Sequence, residues 1–391
     1  MSLRRFTSVK NLRGLGRPLL KTFFGKFETE LKKPGVKLPA DNLDDDPFFK
    51  QLAKVFLSPK QLPKEMTEVL YAVLELADDE GVADLSDAAK AAELAIDWTK
   101  PHTNLDIVMQ VWLEDPKLMM AHHNEHKLLR TTTFQYWGTK IPVKDRFPFK
   151  EPTDAEVKLI EKAVDDWCME NQRGEDTATI TKHELDGEWW FLIQHGGTMS
   201  RLAEAKGNHE TDTIFYRPGK DDVVVYNVER DEVRIHTGTK RERELYRTEF
   251  GQRLRGDTNY FSERKNFVLD PLRSDVGKVL SVEGLPDIKR IVLQELETSF
   301  HGDFGDRTIR KSDDIVASAA QRSKDGKVIP PVPLEGKLVR AVFEMEFSNS
   351  TKPRRVQVKP PDGLSVGRHG DTKAVQDWLT LREFRATNGD E

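Results

Sequence analysis

Apolar residues recur at helical spacing through the first third of the chain. Near the N-terminus they form one stripe with a period of about 3.6 residues, which indicates an amphipathic helix. The residues of this stripe are Leu12, Leu15, Leu19, Phe23, Phe27 and Leu31. Similar stripes continue through residues 45–130, where Gly81 suits a helix end and Ser86 a helix start. Residues 45–130 are therefore predicted to form a small helical bundle.

The pattern changes near Thr131, where β-branched and aromatic residues become frequent, as is typical of strands. One helix is predicted at 153–171, because Thr153 and Glu156 have the spacing of a capping box. The surrounding segments predict short strands joined by connections such as RPGKDD and ERDE. Such connections are too short for parallel crossovers, so the strands should form antiparallel hairpins.

The C-terminal third mixes predicted helices and strands. Helices are predicted at KRERELYRTEFGQRL and DTKAVQDWLTLREF, and strands at NFVLDPL, KVLSV, LVRAVFEMEFS and RRVQVK. The predicted fold class is α+β, an N-terminal helical bundle followed by a mostly antiparallel β-rich domain with a few helices. We expect a basic amphipathic arm with an acidic linker at 1–44, a helical domain at 45–130 and an α+β domain at 131–391. The loop at 322–336 is a candidate boundary within the last domain.

Charge is distributed unevenly along the chain. The net charge is −5, yet residues 1–37 carry ten Lys or Arg and two Glu, and residues 38–120 carry seven Lys and seventeen Asp or Glu. The basic arm has two main interpretations: a terminal helix docked on the body, even against the acidic segment, or an arm that binds a partner through Leu19, Phe23 and Phe27. A mitochondrial presequence has a similar composition, but this arm is poor in serine.

The compartment is predicted from what the sequence lacks. Cys168 is the single cysteine, which excludes an intrachain disulfide and suits a reducing environment. Apolar runs are far shorter than the roughly 20 residues that cross a bilayer, and no secretory signal is expected. We therefore expect a cytoplasmic protein without a membrane segment.

Two short motifs resemble parts of a serine hydrolase. Residues 363–367, GLSVG, fit the nucleophile elbow around Ser365, and residues 195–197, HGG, fit an oxyanion-hole turn. In α/β-hydrolases the acid and the histidine follow the serine, but here the only later histidine is His369, in the same polar loop. An oxyanion-hole turn of this kind also needs a parallel sheet, whereas the short connections predict antiparallel hairpins. We therefore do not expect a serine hydrolase.

Three histidine-containing segments have the residue types of metal sites. GNHE at 207–210 and GDFGD at 302–306, with His209, His301, Asp303 and Asp306, occur in the reverse of the order that two-metal phosphoesterases use. HHNEH at 122–126 places His122 and His126 on one helix face, but a third ligand is not evident. No Gly-rich phosphate-binding loop is present. Neither a metal nor another cofactor is predicted.

A divergent metal-dependent nuclease of the PD-(D/E)xK type is the enzymatic alternative. The strands FEMEF and RRVQVK could set carboxylates beside a lysine, the combination that holds a metal and polarises phosphate. The residues in question are Asp270, Glu344, Glu346 and Lys359. Gln357 stands where a second carboxylate is usual, and the Asp-Pro order at 270–271 is inverted.

Basic and aromatic residues cluster in two further segments, which are candidate nucleic-acid or anion sites. The first contains Arg241, Arg243, Arg247, Arg253 and Arg255, with Tyr260 and Phe261 following. The second contains Lys352, Arg354 and Arg355. The alternative interpretation is a solvated, salt-bridged helix and a basic edge strand that deters aggregation.

The sequence therefore favours binding over catalysis. We expect a non-catalytic subunit or adaptor of a cytoplasmic multi-protein complex, which binds a protein partner and, through its basic and aromatic surfaces, nucleic acid. The nuclease is the alternative. The sequence does not indicate the oligomeric state, the pathway, or whether DNA or RNA is bound.

Overall fold

The computed structural model describes residues 3–32, 36–57, 61–100, 102–142, 145–146, 149–205, 210–262, 267–300, 304–323, 328–350 and 352–385. The chain divides into two compact units, unit one at Met1–Lys127 and unit two at Leu128–Glu391. Unit one is helical and unit two contains the strands, so the predicted α+β class with a helical N-terminal part is confirmed. None of the described helices has the length and apolar character of a membrane span.

Unit one is built from helices whose apolar stripes meet in one core. Their bounds are α1 Val9–Leu15, α2 Arg17–Gly25, α3 Glu28–Lys32, α4 Asp45–Phe56, α5 Lys64–Leu76, α6 Asp79–Ala91, α7 Asn104–Glu114 and α8 Pro116–Leu129. Side-chain caps start two of them: Asp78 accepts from Gly81 N at 2.8 Å, and Thr103 accepts from Asp106 N at 3.2 Å. The core is continuous from Leu3 to Met119.

The basic N-terminal segment is part of this core. Phe23 is fully buried and Phe27 nearly so, and both rings contact Trp112 of α7 at 5.3 and 5.6 Å between centroids. Leu19 is half-buried against the same cluster. This arrangement corresponds to the docked terminal helix, because Phe23 and Phe27 have little surface left for another molecule.

Ion pairs join the basic segment to the acidic segment that follows it. Arg13 pairs with Asp46, Arg17 with Asp45 at 3.1 Å, and Lys21 with Asp41 at 3.0 Å. Arg17 also donates to the Leu43 carbonyl at 2.8 Å. The opposite charges of the two segments therefore satisfy each other within unit one.

Unit two is organised around a ten-stranded antiparallel sheet with the order β2-β3-β6-β7-β1-β12-β11-β10-β8-β9. The strands are β1 Thr133–Gly138, β2 Thr179–Leu185, β3 Glu188–Gly196, β4 Ser200–Ala205, β5 Thr211–Tyr216, β6 Gly219–Asn227, β7 Glu232–His236, β8 Ile288–Ser299, β9 Arg307–Lys311, β10 Lys337–Phe347, β11 Arg354–Lys359 and β12 Gly363–Val366. Strands β4 and β5 form a separate two-stranded ribbon.

The helices of unit two are α9 Asp154–Glu170, α10 Lys240–Arg255, α11 Pro271–Ser274, α12 Val276–Leu280, α13 Ile315–Arg322 and α14 Thr372–Leu381. Two of the predicted strands were wrong. NFVLDPL contributes only an isolated bridge at Phe267 before α11 begins, and KVLSV lies largely in α12. Local signals explain both, since Pro271 occupies a first turn and Asp275 caps α12 by accepting from Lys278 N at 2.9 Å.

One half of the sheet is buried on both faces. In β3, Trp190 and Leu192 belong to one hydrophobic cluster, and Phe191 and Ile193 belong to another, which also contains side chains of α9 and α10. This explains why the segment around WWFLIQH is almost continuously apolar. The β2–β3 turn uses Asp186 and Gly187, both at positive φ (53° and 74°), as a tight hairpin requires.

The two faces of the other half of the sheet differ in their side chains. This half consists of strands β12, β11, β10, β8 and β9. Val356, Val358 and Phe343 point into the cluster that contains α14. In the described residues, none of the three hydrophobic clusters reaches the opposite face, which we call the outer face. Its side chains include Arg355, Gln357 and Lys359 of β11, and they alternate with the buried valines.

Candidate functional site

A cleft of about 650 Å³ opens where the start of α10 lies beside strands β1, β12 and β11. Lys240 and Arg243 line its helical wall, and Lys359 lines the wall formed by β11. Thr133, Gln135, Thr237 and Gln357 contribute hydroxyl and amide groups to the lining. A cavity of this size with a few convergent polar groups is typical of a binding site.

The cleft carries unpaired positive charge. Lys240 and Arg243 are three residues apart, so both side chains lie on one face of α10. Among the described residues, no carboxylate forms an ion pair with Lys240, Arg243 or Lys359, although Glu244 and Asp362 also line the cleft. Glu244 is held by Arg247 at 2.7 Å, and buried Asp362 accepts from Gln135 at 3.3 Å. The three cations are thus available to an anionic ligand.

A buried glutamate fixes the start of α10 and with it the cations. Thr239 caps the helix by accepting from Glu242 N at 3.2 Å, and Thr239 and Thr237 donate to Glu242 Oε2 at 2.7 and 2.9 Å. Burial opposes ionisation of Glu242. The hydrogen bonds from both threonines, together with the charges of Lys220 and Arg173, outweigh burial and lower the pKa of Glu242 to about 2.

Glu242 belongs to a buried network behind the cleft. His195 Nε2 lies 3.0 Å from Asp222 Oδ2, which also accepts from Tyr246 at 2.8 Å and from Thr237 at 2.9 Å. His195 Nδ1 lies 3.0 Å from the Gly196 carbonyl oxygen. Burial lowers the pKa of His195, but hydrogen bonds to Asp222, Cys168 and Gly196 raise it to about 10. His195 is therefore an imidazolium at neutral pH, with both ring nitrogens donating.

His195, Asp222 and Glu242 bring ligand-type atoms within 4.8 Å of one another. These groups are already engaged by protein atoms, since Asp222 accepts from Tyr246 and Thr237 and lies 3.0 Å from His195 Nε2. Glu242 already forms ion pairs with Arg173 and with Lys220, whose Nζ lies 3.3 Å from Glu242 Oε1. The cluster is a buried ion-pair network that ties α10 to β3 and β6.

Cys168, His195 and Asp222 also lie in the order of a cysteine–histidine–aspartate triad, with Cys168 Sγ 3.7 Å from His195 Nδ1. The thiol is fully buried in the cluster formed with α10, and Cys168 lies near the C-terminal end of α9. A helix C-terminus disfavours a thiolate, and a nucleophile must reach its substrate. The contact between Cys168 and His195 therefore serves packing of the interior rather than nucleophilic chemistry.

The hydrolase-like motifs lie on different strands, and Ser365 is in a strand rather than in the polar loop expected from the sequence. Ser365 lies in the antiparallel strand β12, and its hydroxyl contacts Thr133 Oγ1 at 2.9 Å. His369 packs edge-on against Trp190 at 4.8 Å, in the cluster on the other side of the sheet. His195 and Gly196 of the HGG segment are the last residues of β3, whose neighbours are both antiparallel, and only Gly197 follows the strand.

The metal-type segments are placed as follows. His209, His301 and Asp303 lie outside the described residues. On α8, His123 bonds Glu75 at 2.5 Å and His126 bonds Asp78 at 3.2 Å, so these histidines fasten α8 to α5 and to the cap of α6. His122 lies 3.9 Å from Glu125 on its own helix.

The four residues of the nuclease alternative do not converge. Asp270 lies in the turn before α11, beside a different cavity from that of Lys359. Glu344 pairs across the ladder with Arg355, four residues from Lys359, which corresponds to about 13 Å along the strand. Glu344 accepts from Gln294 at 3.0 Å, and Glu346 pairs with Arg290 at 3.1 Å.

The basic candidates on α10 divide between the surface and the interior. Arg255 is buried and pairs with Asp231 at 2.8 Å, and Arg247 donates to the Phe261 carbonyl at 2.8 Å. Arg253 lies 3.9 Å from Glu249. Arg243 faces the cleft, whereas Arg241 is exposed and is not among the residues that line it. The candidate aromatics Tyr260 and Phe261 are both buried.

The second basic segment contributes to the outer face. Arg355 is exposed and approaches Glu295 at 3.5 Å, Arg354 is half-buried on the opposite side of β11, and Lys352 is exposed in the turn before it. The structure thus brings Arg243 of the first segment and Lys359, which follows the second, to the two walls of one cleft.

Lys240, Thr237 and Gln135 were not singled out from the sequence. Lys240 carries a local signal, since it lies one turn before Arg243, but the other two become neighbours only through pairing of β1 with β7. No family model and no curated protein sequence matches the chain, so its function is argued from this geometry.

Proposed function

We propose that the protein is a non-catalytic subunit or adaptor whose unit two binds nucleic acid through the cleft between α10 and β11. The observation that carries this proposal is that Lys240, Arg243 and Lys359, which form no ion pair with any described carboxylate, line one cavity together with amide and hydroxyl groups. Phosphate contacts by lysine and arginine supply most of the affinity for nucleic acids, and neutral polar groups suit base edges and sugars.

Catalysis has no comparable support. The carboxylates required for a metal-dependent nuclease are dispersed, and Glu344 and Glu346 are already engaged by Gln294 and Arg290. Asp362, a buried carboxylate that lines the cleft, is bonded to Gln135. A metal-held phosphate needs several carboxylate oxygens at one point, so binding without cleavage is the better proposal.

The test is the salt dependence of oligonucleotide binding by the full chain. Lys240→Ala/Arg243→Ala should weaken binding about tenfold or more at low salt. The same double variant should reduce the slope of log affinity against log salt by about 1.4, because each phosphate contact on a single strand contributes about 0.7. Lys359→Ala should act in the same direction.

Arg241→Ala is the matched control, because it removes an exposed cation from the same helix outside the cleft. Equal effects of Arg241→Ala and Arg243→Ala would contradict a defined site and leave only diffuse attraction. Mg²⁺ or Mn²⁺ should leave the oligonucleotide intact, and divalent-dependent cleavage that Lys359→Ala abolishes would favour the nuclease instead.

The β4–β5 ribbon supports the second part of the proposal, a protein partner. Three of its twelve paired residues, Leu202, Phe215 and Tyr216, are exposed large apolar side chains, and Met199, directly before β4, is a fourth. Exposed apolar surface of this kind typically marks a protein interface.

Leu202→Ser/Phe215→Ser should abolish co-purification of that partner with the tagged chain from cells that naturally produce it. Oligonucleotide affinity should stay unchanged, because the ribbon lies outside the cleft. An identical set of co-purifying proteins for variant and wild type would contradict a binding role for the ribbon.

A further inference from the structure

The outer face carries positive charge in an unusual arrangement that continues from the cleft. Arg355, Lys311 and Arg307 are 61%, 67% and 60% exposed, whereas the carboxylates that they contact, Glu295 and Glu297, are only 6% and 12% exposed. A fourth cation, Arg340, bridges both glutamates, with 2.9 Å to Glu297. Four cations thus surround two carboxylates, and three of them, Arg355, Lys311 and Arg307, face outward.

The outer face and the cleft lie on the same side of the sheet. Lys359 and Arg355 are both on β11 and four residues apart, so their side chains share one face about 13 Å from each other. From β11 the sheet continues through β10 and β8 to β9, a distance of about 14 Å at the usual strand spacing. The cations therefore form a track that leads from Lys359 to Lys311 and Arg307.

The track and the cleft suit different parts of one ligand. The track offers exposed guanidinium and ammonium groups, which bind phosphates without sequence preference. The cleft is concave and offers the amides of Gln135 and Gln357, which have hydrogen-bonding capacity beyond their contacts with Asp362 and Arg340. Such groups reach base edges only where bases are unpaired. A duplex keeps its bases paired and presents a convex backbone to a cavity of this size.

We propose that the ligand is a single-stranded nucleic acid that occupies the cleft with one or a few nucleotides and continues along the outer face to β9. This proposal rests on the proposed function of the cleft and names its ligand class. It adds Arg355, Arg307 and Lys311 as phosphate-binding residues outside the cleft. Charge complementarity carries the assignment, because Arg355, Arg307 and Lys311 are exposed whereas Glu295 and Glu297 are covered. The remaining carboxylate beside Arg355, that of half-buried Glu344, accepts from Gln294 at 3.0 Å.

The experiment compares short and long oligonucleotides of one base, about 4 and about 16 nucleotides long, which spans the site sizes of single-strand-binding folds. Arg307→Ala/Lys311→Ala should leave the affinity for the short probe unchanged and weaken the long probe about tenfold. Both side chains are exposed on an edge strand, so the fold should survive, which circular dichroism checks. The matched control is Lys158→Ala/Lys162→Ala, which makes the same charge change on α9, where both lysine side chains are exposed and form ion pairs.

The outcomes separate this inference from the proposed function. If Lys240→Ala/Arg243→Ala has no effect on either probe, the cleft itself is not the site. If the cleft variant weakens both probes but the outer-face variant behaves as the α9 control does, the track is not used. A hairpin duplex that binds more tightly than the long single strand would also overturn the inference. Deoxyribose and ribose versions of the long probe distinguish DNA from RNA.

Discussion

One carboxylate oxygen, Asp222 Oδ2, holds much of the polar interior of unit two together. It accepts hydrogen bonds from His195, Tyr246 and Thr237, which belong to or adjoin three different elements. Because the imidazolium of His195 is buried, its charge depends on this single carboxylate and the more distant Glu242, 3.9 Å away. Buried charges are costly when they lose their partner.

Asp222→Asn should therefore lower the free energy of unfolding by about 3 to 5 kcal/mol, the usual cost of breaking a buried ion pair. The raised pKa of His195 predicts a pH dependence as well. Its stabilising contribution is fully present below about pH 6.5, the unfolded pKa, and is lost as pH rises towards 10.

Urea unfolding at pH 6 and pH 9 measures both effects. The difference between wild type and Asp222→Asn should be larger at pH 6 than at pH 9, because at higher pH unfolding releases a proton from His195. A constant difference, or a larger one at pH 9, would show that His195 is neutral in the folded protein.

At the scale of elements, α2 is where the two interpretations of the basic segment differ most. As a docked helix it contributes Leu20, Phe23 and Phe24 to the core of unit one. Its arginine and its lysine contact the acidic segment 41–45. The surface ion pairs are each worth little, so the apolar contacts supply most of the docking energy.

Phe23→Ala should cost about 3 to 5 kcal/mol of unfolding free energy in unit one, as large-to-small changes at buried aromatic residues do. Residues 3–32 should then become sensitive to limited proteolysis, whereas in the wild type they should resist it. A free arm gives the opposite pattern, with rapid cleavage in the wild type and no loss of stability in the variant.

Across the whole molecule, local signals predicted much of the fold but not the site. Helical stripes, the Thr153 capping box and the short hairpin connections depend on near neighbours, so they were evident from sequence. The two wrong strand predictions, near Asp270 and Val279, also had local causes, because the apolar content of each segment outweighed its signals for a helix start. The cleft depends on pairing of Thr133 with Ser365, which are far apart in the chain, and no pattern along one sequence encodes that contact.

The same limit applies to the arginines of α10. Arg243 and Arg255 are arginines of the same predicted helix, yet Arg243 lines the cleft and the side chain of Arg255 is buried against Asp231 and Tyr226. Which side of a helix is covered depends on the strands beneath it. The sequence therefore predicted the charged helix and left open which of its cations are available to a ligand.

The two carboxylates under the cations of the outer face also set how this surface responds to its surroundings. Burial opposes the charge of Glu297, but hydrogen bonds from Arg307 and Arg340 outweigh it and lower the pKa. Glu297 consequently keeps its negative charge to lower pH than a solvent-exposed glutamate does. The negative charges of the two glutamates lower the attraction of the outer face for polyanions, although neither side chain contacts the proposed ligand. In a chain whose net charge is already negative, they therefore reduce non-specific binding of polyanions.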